Sequence, residues 1–296
     1  MSKAETPTIN VHEDVTLFRE AVRFTAAESG FVPRLIEKDY FCTLLLVYLS
    51  EAACDDLVFK GGTCLTKVHS ELYRLSEDLD YTIPVAAGTR RTERSRRADQ
   101  VKTALSRLSK AVPVFRLIAA MKGANNSTQY LAVIGYDSIL GQQEETIKVE
   151  VSLREPLLAS VINGPAQTIL LNPITSKPMV MPFPVRSIDK IEALAEKFRA
   201  ALSRRDPAIR DFFDIDYAVR KGGLQTDNAR FIDQVGQKLT IPGNESVDVS
   251  EKRLGALRRQ LETQLKPVLR DRDFAEFDLD RAFGIGVRMA KAVAGR

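Results

Sequence analysis

The hydrophobic pattern of this 296-residue chain changes its period near Ser187, and that change constrains the fold more than any other feature. Before it, short segments alternate apolar and polar residues as β-strands do, most cleanly over residues 146–153. After it, apolar residues recur every three or four positions, which is typical of helices. The pattern predicts an α+β protein with a mixed-sheet domain and amino-terminal helices over residues 1–185, followed by a helical carboxy-terminal domain over residues 186–296.

The elements can be placed from this periodicity and from the glycine and proline breaks. In the amino-terminal domain we expect helices at residues 15–30, 35–51, 64–73 and 90–111, and strands at residues 57–60, 75–85, 114–121, 128–136 and 146–153. A proline-rich passage over residues 156–184 leads to the carboxy-terminal domain, where we expect helices at residues 188–202, 208–221, 228–239, 251–269 and 276–294.

Composition excludes several classes of protein. The longest uncharged apolar run is about ten residues, whereas a bilayer span needs ~20, so no membrane segment is expected. The amino terminus has no apolar core of a secretory signal, which favours the cytoplasm. The chain has two histidines and three cysteines, Cys42, Cys54 and Cys64, and no CxxC pair. We therefore expect neither a disulfide scaffold nor a zinc site.

The net charge of +4 is unevenly distributed along the chain. Residues 89–110 contain eight lysines and arginines against two acidic residues, a local balance of +6. A helix of this composition suits a polyanion, because each phosphate contact releases condensed counterions. It equally suits a solvated helix face, and composition alone does not separate the two interpretations.

One segment, residues 59–83, combines residue types that carry chemistry. A buried strand ending in Gly61 and Gly62 allows a sharp turn and close approach of a ligand, and the amides at the start of the next helix suit a phosphate. Asp78 and Asp80 then lie two apart on an expected strand, so both face the same side. Two carboxylates so placed favour a cation between them, and Mg²⁺ prefers oxygen ligands; Glu150, on the polar face of a later strand, is a candidate third ligand. The alternative is an ordinary turn followed by solvent-facing aspartates.

These residues also resemble a known family. The pattern GG(S/T), a helix, and then DxD resembles the signature of DNA polymerase β-like nucleotidyltransferases. The form FKGGTCL…RLSEDLD, with IEKDY at residues 36–40 upstream, is similar to AbiEii nucleotidyltransferase toxins of abortive-infection and toxin–antitoxin systems. A segment at residues 196–217 resembles the family's third motif, which here contains Lys197, Arg204, Arg210, Asp211 and Asp214.

The resemblance implies a role for each matching residue. Gly61, Gly62 and Thr63 would hold the nucleotide phosphates, and Asp78 and Asp80 would bind Mg²⁺, with two ions expected and Mn²⁺ as a substitute. Contacts to the triphosphate would come from Lys60, Lys197 and Arg204, and Asp211 would act as a base or as a further acidic catalytic group. The DNA polymerase β-like superfamily usually has serine where this chain has Thr63, which keeps the hydroxyl.

The residues themselves support the carboxy-terminal part of this assignment only in part. Asp211 and Asp214 share one face of an expected helix, as do Lys197 and Arg204 on the preceding one. Such a cluster suits a triphosphate site, but it equally suits a network of ion pairs between helices. The charges of residues 37–39 are expected to be structural, pairing with the motif residues.

The resulting hypothesis is a Mg²⁺-dependent toxin that transfers nucleotides from a nucleoside triphosphate to RNA, with tRNA as the expected acceptor, and so blocks translation. A cognate antitoxin would oppose it. One alternative is transfer to a small molecule or a protein. Another is a non-catalytic module that binds nucleic acid through the basic segment.

Overall fold

The computed structural model of the protein describes residues 9–52, 55–70 and 73–296. The chain divides into two units, residues 1–188 and residues 189–296. Among the described residues, no helix offers an apolar stretch of the length that a bilayer crossing requires. The mixed α+β class expected from the sequence is confirmed, since the first unit contains a sheet with helices and the second contains only helices.

The first unit is built on one seven-stranded mixed sheet in the order β3-β4-β5-β2-β1-β7-β6. The pairs β1–β7 and β2–β5 are parallel, and the others are antiparallel. Its elements are α1 (Val15–Ser29), α2 (Pro33–Ala52), β1 (Val58–Lys60), α3 (Gly61–Lys67), β2 (Leu79–Thr82), α4 (Arg91–Ala111), β3 (Phe115–Ala124), β4 (Gln129–Asp137), β5 (Glu144–Ser152), β6 (Ile162–Ala166) and β7 (Phe183–Ser187).

Helices α2 and α4 cover one face of this sheet. The ring of Phe41 on α2 stacks on that of Tyr136 on β4 with 4.2 Å between centroids, and the Lys102 ammonium of α4 lies over the ring of Tyr130. Tyr130 and Tyr136 alternate along β4 with Leu131 and Val133, which point the other way and are partly or largely exposed. We call the face that carries Leu131 and Val133 the open face.

Two strands form within the proline-rich passage, where the sequence predicted none. Strands β6 and β7 pair with each other and place Pro165 opposite Pro184. Proline lacks an N–H and is tolerated at sheet edges. Strand β6 is the edge strand, and β7 meets β1 at the single pair Phe59–Ser187, so neither proline needs to donate to a ladder.

Helix α3 also differs from the expected segment. It begins at Gly61, directly after β1, and ends at Lys67, so Thr63 lies inside the helix, in its first turn. The expected helix over residues 64–73 extends into residues 71 and 72, which lie outside the described residues.

The second unit contains the helices α5 (Lys190–Ser203), α6 (Ile209–Arg220), α7 (Ala229–Leu239), α8 (Glu251–Arg258), α9 (Asp271–Glu276) and α10 (Leu279–Ala294). The long helix expected over residues 251–269 ends at Arg258 and continues as a π-helical turn, Leu261–Leu265, and a 3₁₀ turn, Lys266–Val268. Pro267 within the 3₁₀ turn cannot supply the N–H of a regular α-helix, so α-helical hydrogen bonding does not continue through this position. Asp278 caps α10 by accepting from the N–H of Arg281, so the last helix starts later than expected.

Candidate active site

The register of the sheet brings the predicted residues of the first unit into one row. Lys60 on β1 pairs with Asp80 on β2, and Asp80 pairs with Glu150 on β5. Directly paired residues point to the same face of a sheet. The row continues from Glu150 to Leu131, so it lies on the open face, opposite the helices α2 and α4. All three charged side chains are partly accessible, while their strand neighbours Phe59, Leu79, Tyr81, Val149 and Val151 are buried.

Gly61 lets the chain bend against Asp80. Its φ of +75° lies in the left-handed region that favours glycine. A Cβ built on Gly61 would overlap the carboxylate of Asp80, so the absence of a side chain is what lets backbone and carboxylate meet. The glycine bend and the second aspartate of the DxD pattern are therefore in direct contact.

The first aspartate is tied to the same bend through the backbone. The buried hydroxyl of Thr63 donates to the carbonyl oxygen of Asp78 at 2.5 Å. The carboxylate of Asp78 reaches β5, where its Oδ1 lies 3.4 Å from the N–H of Lys148. Because the Thr63 hydroxyl is already engaged, its contribution at the bend is to fix Asp78 relative to α3.

The donor chemistry fits a hard divalent ion. Asp78, Asp80 and Glu150 offer carboxylate oxygens, the ligands that Mg²⁺ takes, and Mg²⁺ typically keeps water and substrate oxygens in its remaining positions. Within residues 9–52, 55–70 and 73–296, no three acidic, histidine or cysteine side chains are already grouped as a metal site.

The charged residues of the IEKDY segment lie on α2 and are buried. The carboxylate of Asp39 accepts from the Lys67 ammonium at 2.6 Å and from the hydroxyl of Thr168 at 2.6 Å. Lys67 is the last residue of α3 and also donates to the hydroxyl of Thr43 at 2.7 Å. Asp39 thus holds the end of the helix that starts at the glycine bend.

Lys38, the residue before Asp39, supports the segment that carries Asp78 and Asp80. The ammonium of Lys38 lies 3.3 Å from Glu77, the residue before Asp78, and 3.6 Å from Glu145. Arg34, one turn earlier on α2, donates to both oxygens of Glu145 at 2.7 and 2.9 Å and to Glu77 at 3.2 Å. This pairing holds the pKa of Glu145 below its ordinary value, chiefly through the hydrogen bond from Arg34.

Two further residues of α2 complete this support. The carboxylate of Glu37 accepts from the hydroxyl of Ser138 and the N–H of Ile139, both at 2.7 Å, and so fixes the turn between β4 and β5. The thiol of Cys42 donates to the carbonyl of Glu77, and burial raises the pKa of this thiol to about 12. The sequence indicated a structural role for residues 37–39, but not that they hold both motifs. The sequence feature that pointed to these residues was three consecutive charged positions in an otherwise apolar helix.

Much of the charge of α4 is engaged within the helix and its surroundings. Arg94 is buried and donates to the carbonyls of Asn126 and Ser127, while Arg96 and Arg97 both pair with Glu93. This pairing lowers the pKa of Glu93 to about 2 through hydrogen bonds from the two arginines. The exposed cations that remain are Arg90, just before the helix, Arg91 in its first turn, and Arg107 and Lys110 near its end.

In the second unit, the third motif forms a compact cluster of ion pairs. Lys197 on α5 lies 3.0 Å from Asp211 and 2.9 Å from Asp214, both on α6. Arg204, half exposed at the end of α5, lies 3.2 Å from the second oxygen of Asp211, though not in hydrogen-bonding geometry. Arg210 is partly exposed on α6. The side chains of Lys197, Arg204 and Asp211 lie close together, as the sequence indicated. They form the ion-pair network between helices that the sequence offered as the alternative interpretation.

Comparison with known structures supports the assignment of the fold. JHP933 from Helicobacter pylori is 16% identical, with a TM-score of 0.52, and the match covers 90% of this chain and 94% of that one. MenT4, a nucleotidyltransferase toxin from Mycobacterium tuberculosis, is 18% identical with a TM-score of 0.51, over 94% of this chain and 98% of that one. No curated protein sequence shows significant similarity to the chain.

Together, the fold and the ordered motifs define a nucleotidyltransferase. The family model described as nucleotidyl transferase AbiEii toxin, type IV toxin–antitoxin system, matches residues 45–283. The chain therefore belongs to the AbiEii nucleotidyltransferase toxin family.

Proposed function

We propose that this protein is a Mg²⁺-dependent toxin that transfers a nucleotide from a nucleoside triphosphate to RNA, with tRNA as the acceptor, and thereby blocks translation in the cytoplasm. The proposal depends above all on the contact between the Gly61 bend and the Asp80 carboxylate, within the row of Lys60, Asp80 and Glu150. Membership of a toxin–antitoxin family supports the existence of an opposing antitoxin.

The chain's own residues supply positioning and charge. In this proposal the backbone of Gly61, Gly62 and Thr63 holds the triphosphate, and Lys60 contacts its oxygens. The acceptor hydroxyl attacks the α-phosphorus, a new phosphorus–oxygen bond forms, and the bond to pyrophosphate breaks. Asp78 and Asp80, with Glu150 as a further ligand, would hold the Mg²⁺, and Mn²⁺ would be able to replace it. When bound, the ions neutralise the triphosphate and lower the pKa of the attacking hydroxyl.

The third motif has a proposed role of its own. Lys197 and Arg204 contact the triphosphate, and Asp211 accepts the proton that the hydroxyl loses. Since Arg204 is half exposed, Arg204→Gln should leave the unfolding midpoint near that of the wild type and raise the KM for the nucleotide several-fold. An unchanged KM would restrict this residue to the ion-pair network.

The function is tested by incubating the protein with Mg²⁺, total tRNA and each of the four α-³²P-labelled nucleoside triphosphates. We expect the wild type to label RNA with at least one nucleotide, and expect no labelling after addition of EDTA. Asp80→Asn should abolish labelling and relieve growth inhibition, since it removes a negative charge without changing size. Asp137→Asn is the matched control, because Asp137 is exposed and pairs with Arg116 at the far end of β4.

Three results would contradict the proposal. Label that resists nuclease but not protease would identify a protein acceptor, and label in neither polymer would point to a small molecule. RNA binding that is indifferent to Mg²⁺, with no transfer of any nucleotide, would point to a non-catalytic module.

A further inference from the structure

The row of paired residues at the candidate active site does not end at Glu150. It continues across the open face from Glu150 on β5 to Leu131 on β4 and to Lys122 on β3. We propose that the single-stranded 3′ end of an RNA acceptor lies along this extension, over β4 and between the ammonium groups of Lys122 and Lys148. This inference rests on the proposed function and specifies where its acceptor binds.

The placement follows from sheet geometry. Neighbouring strands lie ~4.8 Å apart, so Leu131 is about 10 Å from Asp80 and Lys122 about 14 Å from it. Lys148 pairs with Val133, two residues along β4 from Leu131, so the two lysines flank the same stretch of β4 diagonally. A chain lying between them would bring its terminal hydroxyl toward the carboxylate row.

The surface has the chemistry of a single-stranded nucleic-acid site. Ile118 on the edge strand β3 is 48% exposed, and Leu131 on the neighbouring strand β4 is 39% exposed, so two large apolar side chains lie open on adjacent strands. Apolar side chains accept the faces of unstacked bases, and ammonium groups accept the phosphates. No carboxylate among the described residues pairs with Lys122 or Lys148, so both charges remain available.

The nearby arginine is differently placed. Arg116 on β3 is held by Asp137 at 2.7 Å and by Glu144 at 2.9 Å, at the end of the face away from Leu131. Among the described residues, the acidic groups on and beside the open face are of two kinds: Asp78, Asp80 and Glu150, which a divalent ion would neutralise, and the pair already matched by Arg116. The free positive charge lies between them, which favours a polyanionic ligand.

Helix α4 is the rival surface, and the structure disfavours it for the reacting end. It packs on the face of the sheet that carries Tyr130, whereas Asp80 and Leu131 are on the other face. Its buried arginine and its pairs with Glu93 also reduce the charge that it offers. An acceptor bound on α4 alone would be separated from the carboxylate row by the sheet.

The experiment compares two double variants of equal charge. Lys122→Ala/Lys148→Ala changes the open face, and Arg107→Ala/Lys110→Ala changes α4. The probe is a fluorescent, unstructured 12-nucleotide RNA with a free 3′ hydroxyl, bound in the Asp80→Asn background so that no transfer occurs. We expect the open-face variant to raise Kd at least five-fold and to reduce the slope of log K against log salt by about 1.4, at ~0.7 per lost phosphate contact. The α4 variant should change the slope less.

Leu131→Glu serves as an independent variant, because its carboxylate would repel a phosphate at the centre of the surface. Thermal unfolding verifies that each variant is folded, which is expected because all the substituted side chains are exposed or partly exposed. Binding that is unaffected by both the open-face variant and Leu131→Glu would overturn the inference, as would a loss confined to the α4 variant. If the wild type binds RNA in this way but transfers nothing to it, the open face is an RNA-binding surface but not an acceptor site, and it is the proposed function that fails.

Discussion

At the scale of single residues, Gly61 is the position of the site at which a side chain would be tolerated least. The backbone there has φ +75°, and the space that a side chain would need is filled by the Asp80 carboxylate. The sequence indicated a turn that a ligand could approach closely, and the turn is present. What it did not indicate is that the nearest group to the glycine is the metal-binding candidate itself, because that contact depends on the register between β1 and β2.

Gly61→Ala should therefore abolish nucleotide transfer, with a loss of at least 100-fold, because the new methyl group displaces the Asp80 carboxylate. Gly88→Ala is the matched control: its φ of +79° imposes a similar backbone strain, but its Cβ would meet no atom within 4 Å. Both variants should lose ~1 kcal/mol or more of stability from the left-handed conformation. Labelling assays and thermal unfolding separate the effects, and equal activity of the two variants would contradict the role given to Gly61.

At the scale of elements, α2 acts as a buried scaffold for both motifs. Asp39 holds the end of α3, and Lys38 with Arg34 holds the segment before β2. Breaking a buried ion pair at one partner costs ~3–5 kcal/mol, because an uncompensated charge stays in the interior. Exposed pairs contribute ~0–1 kcal/mol.

Lys67→Met should accordingly reduce the free energy of unfolding by about 3 kcal/mol or more, since the Asp39 carboxylate would lose its cation. Adding Asp39→Asn should restore part of this loss, which a double-mutant cycle in urea would measure as a positive coupling. Arg258→Met is the control, because Arg258 and Asp280 are each more than half exposed. Additive effects of the two buried substitutions would show that Asp39 and Lys67 are not coupled.

The pair between Arg34 and Glu145 gives a prediction on pH. The hydrogen bond from Arg34 lowers the pKa of Glu145 from its ordinary value of 4.5. The unfolded chain therefore takes up the proton at higher pH than the native one, and the stabilisation is complete above about pH 5 and is lost as the pH falls through the lowered native value. Urea unfolding should show that the difference between the wild type and Glu145→Gln narrows from pH 6 to pH 3. A constant difference would contradict the assigned pairing.

The elements also show how far periodicity carries a prediction. The sequence predicted strand β5 and which of its residues face the core, because apolar and polar residues alternate along a strand with one buried and one open face. The strands β6 and β7 were not predicted, because proline normally argues against a strand and is tolerated in these two only at or near the sheet edge. The site residues of the first unit came from motif spacing, but the contacts of Glu37, Lys38 and Asp39 required the fold, since their partners lie 28 to 130 residues away.

At the scale of the whole molecule, the distribution of charge matters more than the net value of +4. The basic segment suggested a polyanion site, yet α4 uses much of its charge internally and lies behind the sheet relative to Asp80. The open face has fewer available cations, Lys122 and Lys148, but they lie on the same side of the sheet as Asp80. Sequence reasoning could count these charges, but it could not assign them to faces before the order of the strands was known.

We propose that Asp78 and Asp80 hold a divalent ion beside the glycine bend. Anomalous diffraction from crystals grown with Mn²⁺ and a non-hydrolysable nucleoside triphosphate analogue would locate that ion. We expect an anomalous peak coordinated by both carboxylates and by phosphate oxygens in the wild type, and none at that position in Asp80→Asn. A nucleotide bound with its metal away from Asp78 and Asp80 would show that these carboxylates are not the metal ligands.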